Sequence, residues 1–183
     1  MTDSRPLQRP SRRQLLASAV GLVAGAGLAG CGKSLPNGVD ATELAAFWAL
    51  RLPAVAPVPD GGKVALAAFR GHPLLVNFWA TWCPPCVAEL PLLSFFYAER
   101  GRRDWQCLGL AVEGKREPVA RFLAHAPVAY PVALAGVEGA QISRNLGNTE
   151  GVLPFTVLFD TNGQITHRKM GQLQSSDLKS WLG

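Results

Sequence analysis

Two cysteines, Cys83 and Cys86, stand two prolines apart in NFWATWCPPCVAELP, residues 77–91. Three chemistries use a pair at this spacing: a redox dithiol, half of a zinc site, or a small structural disulfide. Zinc needs four ligands. Beyond the pair the domain offers Cys107, His72, His125 and His167, none of them in a second pair at metal-ligand spacing. Cys107 alternates within an apolar run and reads as a buried small hydrophobe. A structural bridge across so few residues removes almost no chain entropy and adds little stability. The dithiol reading turns on what holds the pair.

Ahead of the pair, PLLVNFW (Pro73–Trp79) is a continuous apolar run of strand length. That is the pattern of a central parallel strand covered on both faces. From Pro84 to about Arg100 the chain reads as a helix, which Pro91 is expected to kink. Cys83 then lies at the helix N-terminus. Unpaired N–H groups and the positive end of the helix dipole make a thiol there more acidic than a free cysteine. Cys86 follows about one turn later, within disulfide reach, with its sulfur turned inward. The expectation is an exposed attacking thiolate with a sheltered resolving thiol behind it.

The remaining elements support that placement. Gln106–Val112 reads as a second buried strand and Glu117–His125 as a helix with Pro118 in its first turn. Tyr130–Leu134 is a short strand and Gly139–Leu146 a short helix. Phe155–Phe159 is a strand, joined through an Asp160–Gly163 turn to a hairpin partner, Gln164–Met170. Ser175 or Ser176 caps a last helix ending near Leu182. Upstream, Ala41–Val55 is a helical or extended lead-in that runs into Pro53. Asp60-Gly61-Gly62 is a turn signal, and Lys63–Phe69 a strand edge with a short turn. The order βαβαβαββα argues for an α/β sandwich on a mixed sheet.

NFWATWCPPC, followed by Glu89 and Pro91, resembles the active site of the thioredoxin superfamily, and most of all its membrane-anchored extracytoplasmic branch typified by TlpA and ResA. Val152-Leu153-Pro154-Phe155-Thr156 is similar to that family's cis-proline loop, and the likeness runs from about Leu52 to Gly183. The resemblance implies a thioredoxin-like three-layer sandwich over residues 42–183. It implies a cis Leu153–Pro154 bond beside a redox-active Cys83–Cys86 pair, and substrate contacts from Trp82, Pro84, Leu153 and Pro154. The Leu153 backbone would be free to pair with an extended substrate. In thioredoxin proper a buried aspartate assists the inner cysteine from the position of Asn77. Asparagine cannot accept a proton. Glu89 shares the helical face of Cys86 three residues on, and ResA-like proteins carry a glutamate here, so Glu89 is expected to take that role. It should be partly buried, its pKa raised by desolvation and by the nearby thiolate.

The activity implied is a thiol–disulfide oxidoreductase without a cofactor. It would act reductively on disulfide-bearing partner proteins, for example haem-attachment or copper-site cysteines, and be recharged by a membrane electron donor. Two other readings stay open. A redoxin-type peroxidase would use Thr81, but no motif positions an arginine. A non-enzymatic Cu(I) carrier suits soft thiolates, but lacks the longer cysteine spacing and the histidine of copper-delivery relatives.

The first thirty residues read as an address. SRRQLLASAVGLVAGAGLAGC, Ser11–Cys31, sets a basic stretch before sixteen uncharged residues, Leu15–Gly30. That length suits a signal-peptide apolar region better than a membrane span. Ser11-Arg12-Arg13-Gln14-Leu15-Leu16 resembles the twin-arginine export motif. Leu28-Ala29-Gly30-Cys31 resembles a bacterial lipobox, which makes Cys31 the lipidated first residue of the mature chain and residues 31–41 its tether. The expected location is extracytoplasmic, on a membrane facing the periplasm. Four of the 18 basic residues and one of the 13 acidic ones fall in this segment, so the net charge of +5 drops to +2 without it. The basic balance belongs to export, and nothing in it marks a nucleic-acid partner.

Overall fold

The computed structural model describes residues 38–56, 62–101 and 104–182. The export segment, Cys31 and the tether as far as residue 37 lie outside the described residues, as does most of the Asp60–Gly62 turn. Seven strands form one sheet: β1 (Arg51–Ala56), β2 (Lys63–Ala65), β3 (Leu74–Trp79), β4 (Gln106–Ala111), β5 (Val132–Leu134), β6 (Phe155–Phe159) and β7 (Ile165–Met170). Their order is β2-β1-β5-β4-β3-β6-β7. β3, β4 and β5 run parallel, whereas β6 pairs antiparallel with β3 and with β7, and β1 antiparallel with β5 and β2.

Among the described residues, five α-helices cover the two faces: α1 (Ala41–Ala49), α2 (Pro84–Arg100), α3 (Arg116–His125), α4 (Gly139–Asn145) and α5 (Ser175–Leu182). Every residue of β3 is buried, and successive side chains alternate between the faces. Leu74, Val76 and Phe78 pack with Leu44, Phe47 and Trp48 of α1 and Leu146 beyond α4. Leu75 and Trp79 pack with Leu90, Leu93 and Phe96 of α2, Val119 and Leu123 of α3, and Leu178 of α5. The result is a three-layer sandwich of the thioredoxin type on a mixed sheet, as the sequence pattern and the resemblance imply.

From β3 onward the element order is the expected βαβαβαββα, with ends shifted by two residues or fewer. α2 runs through Pro91 as one helix, and two details differ. The lead-in is two elements: α1, capped by Asp40 Oδ1 accepting from the Thr42 N–H at 2.7 Å, and then a true strand, β1. Pro53 is tolerated there because pairing with β5 starts only at Ala54, so its missing N–H breaks no ladder bond. Neither Ser175 nor Ser176 caps α5. Asp177 reaches back instead, its Oδ2 accepting from the Gln174 N–H at 2.8 Å, which is half of a capping box.

Candidate active site

β3 ends at Trp79, and α2 begins at Pro84 with Cys83 as its N-cap in extended conformation. A buried strand thus delivers the chain to the start of a helix, where a sharp turn brings Cys83 and Cys86 together. They are joined by a disulfide, with Cα atoms 5.3 Å apart. Cys86 is fully buried and Cys83 is 5% exposed. The outer sulfur is therefore the more accessible one, but it sits in a slot rather than in the open position expected. The expected ring of helix N–H donors is also depleted. Pro84 and Pro85 have none, and the Cys83 N–H is bonded to the Ala80 carbonyl at 3.2 Å. The Val87 N–H bonds the Cys83 carbonyl at 3.1 Å. The Cys86 N–H remains. Trp82, just before the pair, is 68% exposed.

Three residues after Cys86, about one turn along α2, lies a buried carboxylate. Glu89 is 1% exposed, more deeply placed than expected. Its Oε1 accepts from Asn77 Nδ2 at 2.7 Å and its Oε2 from the Leu173 N–H at 2.5 Å. Burial pushes its pKa up to about 7, while these two donors pull in the opposite direction. With the cysteines joined, no thiolate contributes, so desolvation accounts for the rise. Asn77 also donates to Thr156 Oγ1 at 3.0 Å, directly opposite it in the β3–β6 register. Asn77 Oδ1 has no hydrogen-bond partner among the described residues.

The Leu153–Pro154 bond is cis, as the resemblance implies. Leu153 packs against the cluster that holds both cysteines. The Pro154 carbonyl accepts from the Gly171 N–H at 2.8 Å, and the Val152 N–H and C=O are both bonded to the Asn148 side chain. Neither backbone group of Leu153 has a partner among the described residues. Cys107 is a buried free thiol whose pKa is pushed well up by desolvation, as befits a core residue.

Sequence reasoning did not single out Asn148, Thr156, Glu113 or the Leu173 N–H. Glu113 is buried on the loop after β4, and its Oε1 accepts from the Thr81 N–H at 2.5 Å, fixing the turn that carries Trp82 and Cys83. These residues lie far from the CPPC motif in sequence. The one available signal was the Leu153–Pro154–Phe155–Thr156 run, which places Thr156 on the strand beside Asn77.

Solved structures share this architecture. A DsbE-like thiol:disulfide interchange protein from Chlorobium tepidum superposes with a TM-score of 0.61 at 25% identity, over 73% of this chain and 87% of that one. StoA from Bacillus subtilis shares the fold with a TM-score of 0.58 at 21% identity, over 73% and 96%. The class is that of thioredoxin-like proteins, here with a cysteine pair at the start of the helix that follows β3. Residues 32–182 match the Redoxin family, and the chain belongs to it. Among curated relatives, thiol-disulfide oxidoreductase ResA of Bacillus thuringiensis subsp. konkukian is 27% identical over 123 residues, 67% of this chain and 69% of that protein. ResA of Geobacillus thermodenitrificans is 28% identical over the same length, 67% and 68%. Together with the Cys83–Cys86 disulfide, this kinship makes the chain a thiol–disulfide oxidoreductase of the ResA/DsbE type.

Proposed function

We propose that this oxidoreductase is a reductase of disulfides in partner proteins outside the cytoplasm, held at a membrane by lipid on Cys31. The observation that carries the reading is the placement of the Cys83–Cys86 disulfide at the start of α2, with buried Glu89 one turn further along the helix and Leu153, whose backbone groups have no partner among the described residues, packed against the cluster that holds both cysteines.

The reaction starts from the dithiol. Cys83 thiolate attacks one sulfur of the substrate disulfide. That S–S bond breaks, a mixed disulfide forms, and one substrate thiolate leaves and is protonated. Cys86 then loses its proton and attacks the Cys83 sulfur. The second substrate thiolate leaves, and the enzyme is left with the Cys83–Cys86 disulfide. Two electrons pass from dithiol to substrate. Glu89 is the acceptor for the Cys86 proton: a carboxylate with a pKa near neutrality is matched to that transfer, whereas Asn77 cannot take part in it. Trp82, Pro84, Leu153 and Pro154 form the contact surface for the substrate chain. Dithiol is restored by a membrane electron donor, which the tether brings within reach. Substrates of the haem-attachment or copper-site class fit this direction of flow.

The test is trapping. Cys86→Ser, reduced and mixed with a disulfide-bearing protein, is expected to accumulate a mixed disulfide on Cys83, and Cys83→Ser to form none. Trapping through Cys86, or peroxide consumption without disulfide exchange, would contradict the reading.

A further inference from the structure

Asn148 is wholly buried in a turn-rich loop, and its polar atoms are committed to the chain just before the cis-proline. Oδ1 accepts from the Val152 N–H at 3.0 Å, and Nδ2 donates to the Val152 carbonyl at 2.9 Å and, at 3.4 Å, to Ser143 Oγ. The loop is closed on itself by the Gly151 N–H donating to the Asn148 carbonyl at 3.1 Å, with Gly151 in the left-handed region at φ 68°. Its far side is fixed by Arg168, whose Nε donates to the Leu146 carbonyl at 2.6 Å. On the other flank the Gly171 N–H holds the Pro154 carbonyl. Leu153 is therefore gripped on both sides, while its own N–H and C=O are left without partners among the described residues.

We infer that Asn148 is a positioning residue for polypeptide substrates: its two-point grip on Val152 holds the Leu153 backbone ready to pair with an extended chain carrying the disulfide. The inference rests on the reductase reading. It goes beyond it in assigning substrate selection to a residue that touches neither substrate nor sulfur. A peptide must pair along Leu153, whereas a small disulfide has only to reach Cys83, so Asn148 separates the two kinds of substrate. A merely structural asparagine would affect both alike.

The experiment uses the full chain with two substrates, insulin and bis(2-hydroxyethyl) disulfide. Asn148→Ala is expected to raise KM for insulin and to lower the ratio of the insulin to hydroxyethyl-disulfide rate constants about tenfold, the scale of losing a pair of hydrogen bonds. Asn148→Asp keeps the acceptor for the Val152 N–H but sets a second oxygen against the Val152 carbonyl, so it is expected to lower the ratio as Asn148→Ala does. Gly151→Ala strains the same loop from its exposed side and is expected to lower the ratio about threefold. This second variant decides the matter if Asn148→Ala does not fold. An unchanged ratio in the folded variants, or equal losses on both substrates, would overturn the inference. A wild-type chain inert on both substrates would instead bring down the reductase reading, and the role of Asn148 with it.

Discussion

Glu89 is the residue on which the proposed chemistry and the stability meet. A carboxyl with a pKa near 7 in the folded protein and about 4.5 in the unfolded chain binds more protons when folded across that interval. Stability from this group is fully present below about pH 4.5 and is lost as pH rises through 7, a change on the order of 3 kcal/mol. Oxidised wild-type protein is therefore expected to lose unfolding free energy between pH 5 and 8 relative to Glu89→Gln, which has no proton to lose. Denaturant titrations of both proteins across that range provide the check, and parallel pH curves would count against it. In exchange kinetics the same variant should slow resolution of the mixed disulfide without unfolding the domain. Glu89 was legible in the sequence because it shares a helical face with Cys86. Its partners were not: Asn77 and Thr156 meet only through the β3–β6 register, and the Leu173 N–H comes from the segment before α5.

Among the elements, α2 carries the most weight. It delivers Cys83 and Cys86, and it is anchored by Leu90, Leu93 and Phe96 under the sheet. Leu93→Ala is expected to cost about 2–5 kcal/mol by leaving a cavity in that contact, read as a lower denaturant midpoint. The start of the helix tunes the sulfur chemistry. With prolines at its first two positions it offers Cys83 fewer donors than an ordinary helix N-terminus. Pro85→His adds a donor beside the thiolate and should raise the reduction potential, by about 30 mV for each 1.4 kcal/mol of stabilisation of the reduced form. β3 and α2 could be read from sequence because a continuous apolar run of strand length is followed by a long stretch with no glycine before Gly101. β1 could not. Pro53 argues against a strand in isolation, and only its place before the β5 pairing shows why it is allowed. The α5 cap was misread for a similar reason, since serine is the common capping residue and the Asp177 contact is visible only once the turn is formed.

At the scale of the whole molecule, a redox domain over residues 42–183 would be tied to a membrane through a short tether. Cys31→Ser is expected to abolish membrane association while the domain keeps its exchange activity. A variant still found in the membrane fraction would mean an uncleaved anchor rather than a lipid.

The direction of electron flow is the central claim, and the reduction potential of the Cys83–Cys86 pair tests it most directly. A dithiol is strongly oxidising when its reduced form is stabilised. Here the residues between the cysteines supply neither an N–H nor a side-chain donor to do so. Equilibration with a dithiothreitol or glutathione buffer is expected to give a potential nearer about −270 mV, the thioredoxin range, than about −120 mV, that of DsbA. A value above roughly −180 mV, near that of protein disulfide isomerase, would make the protein an oxidant or isomerase and contradict its assignment as a reductase.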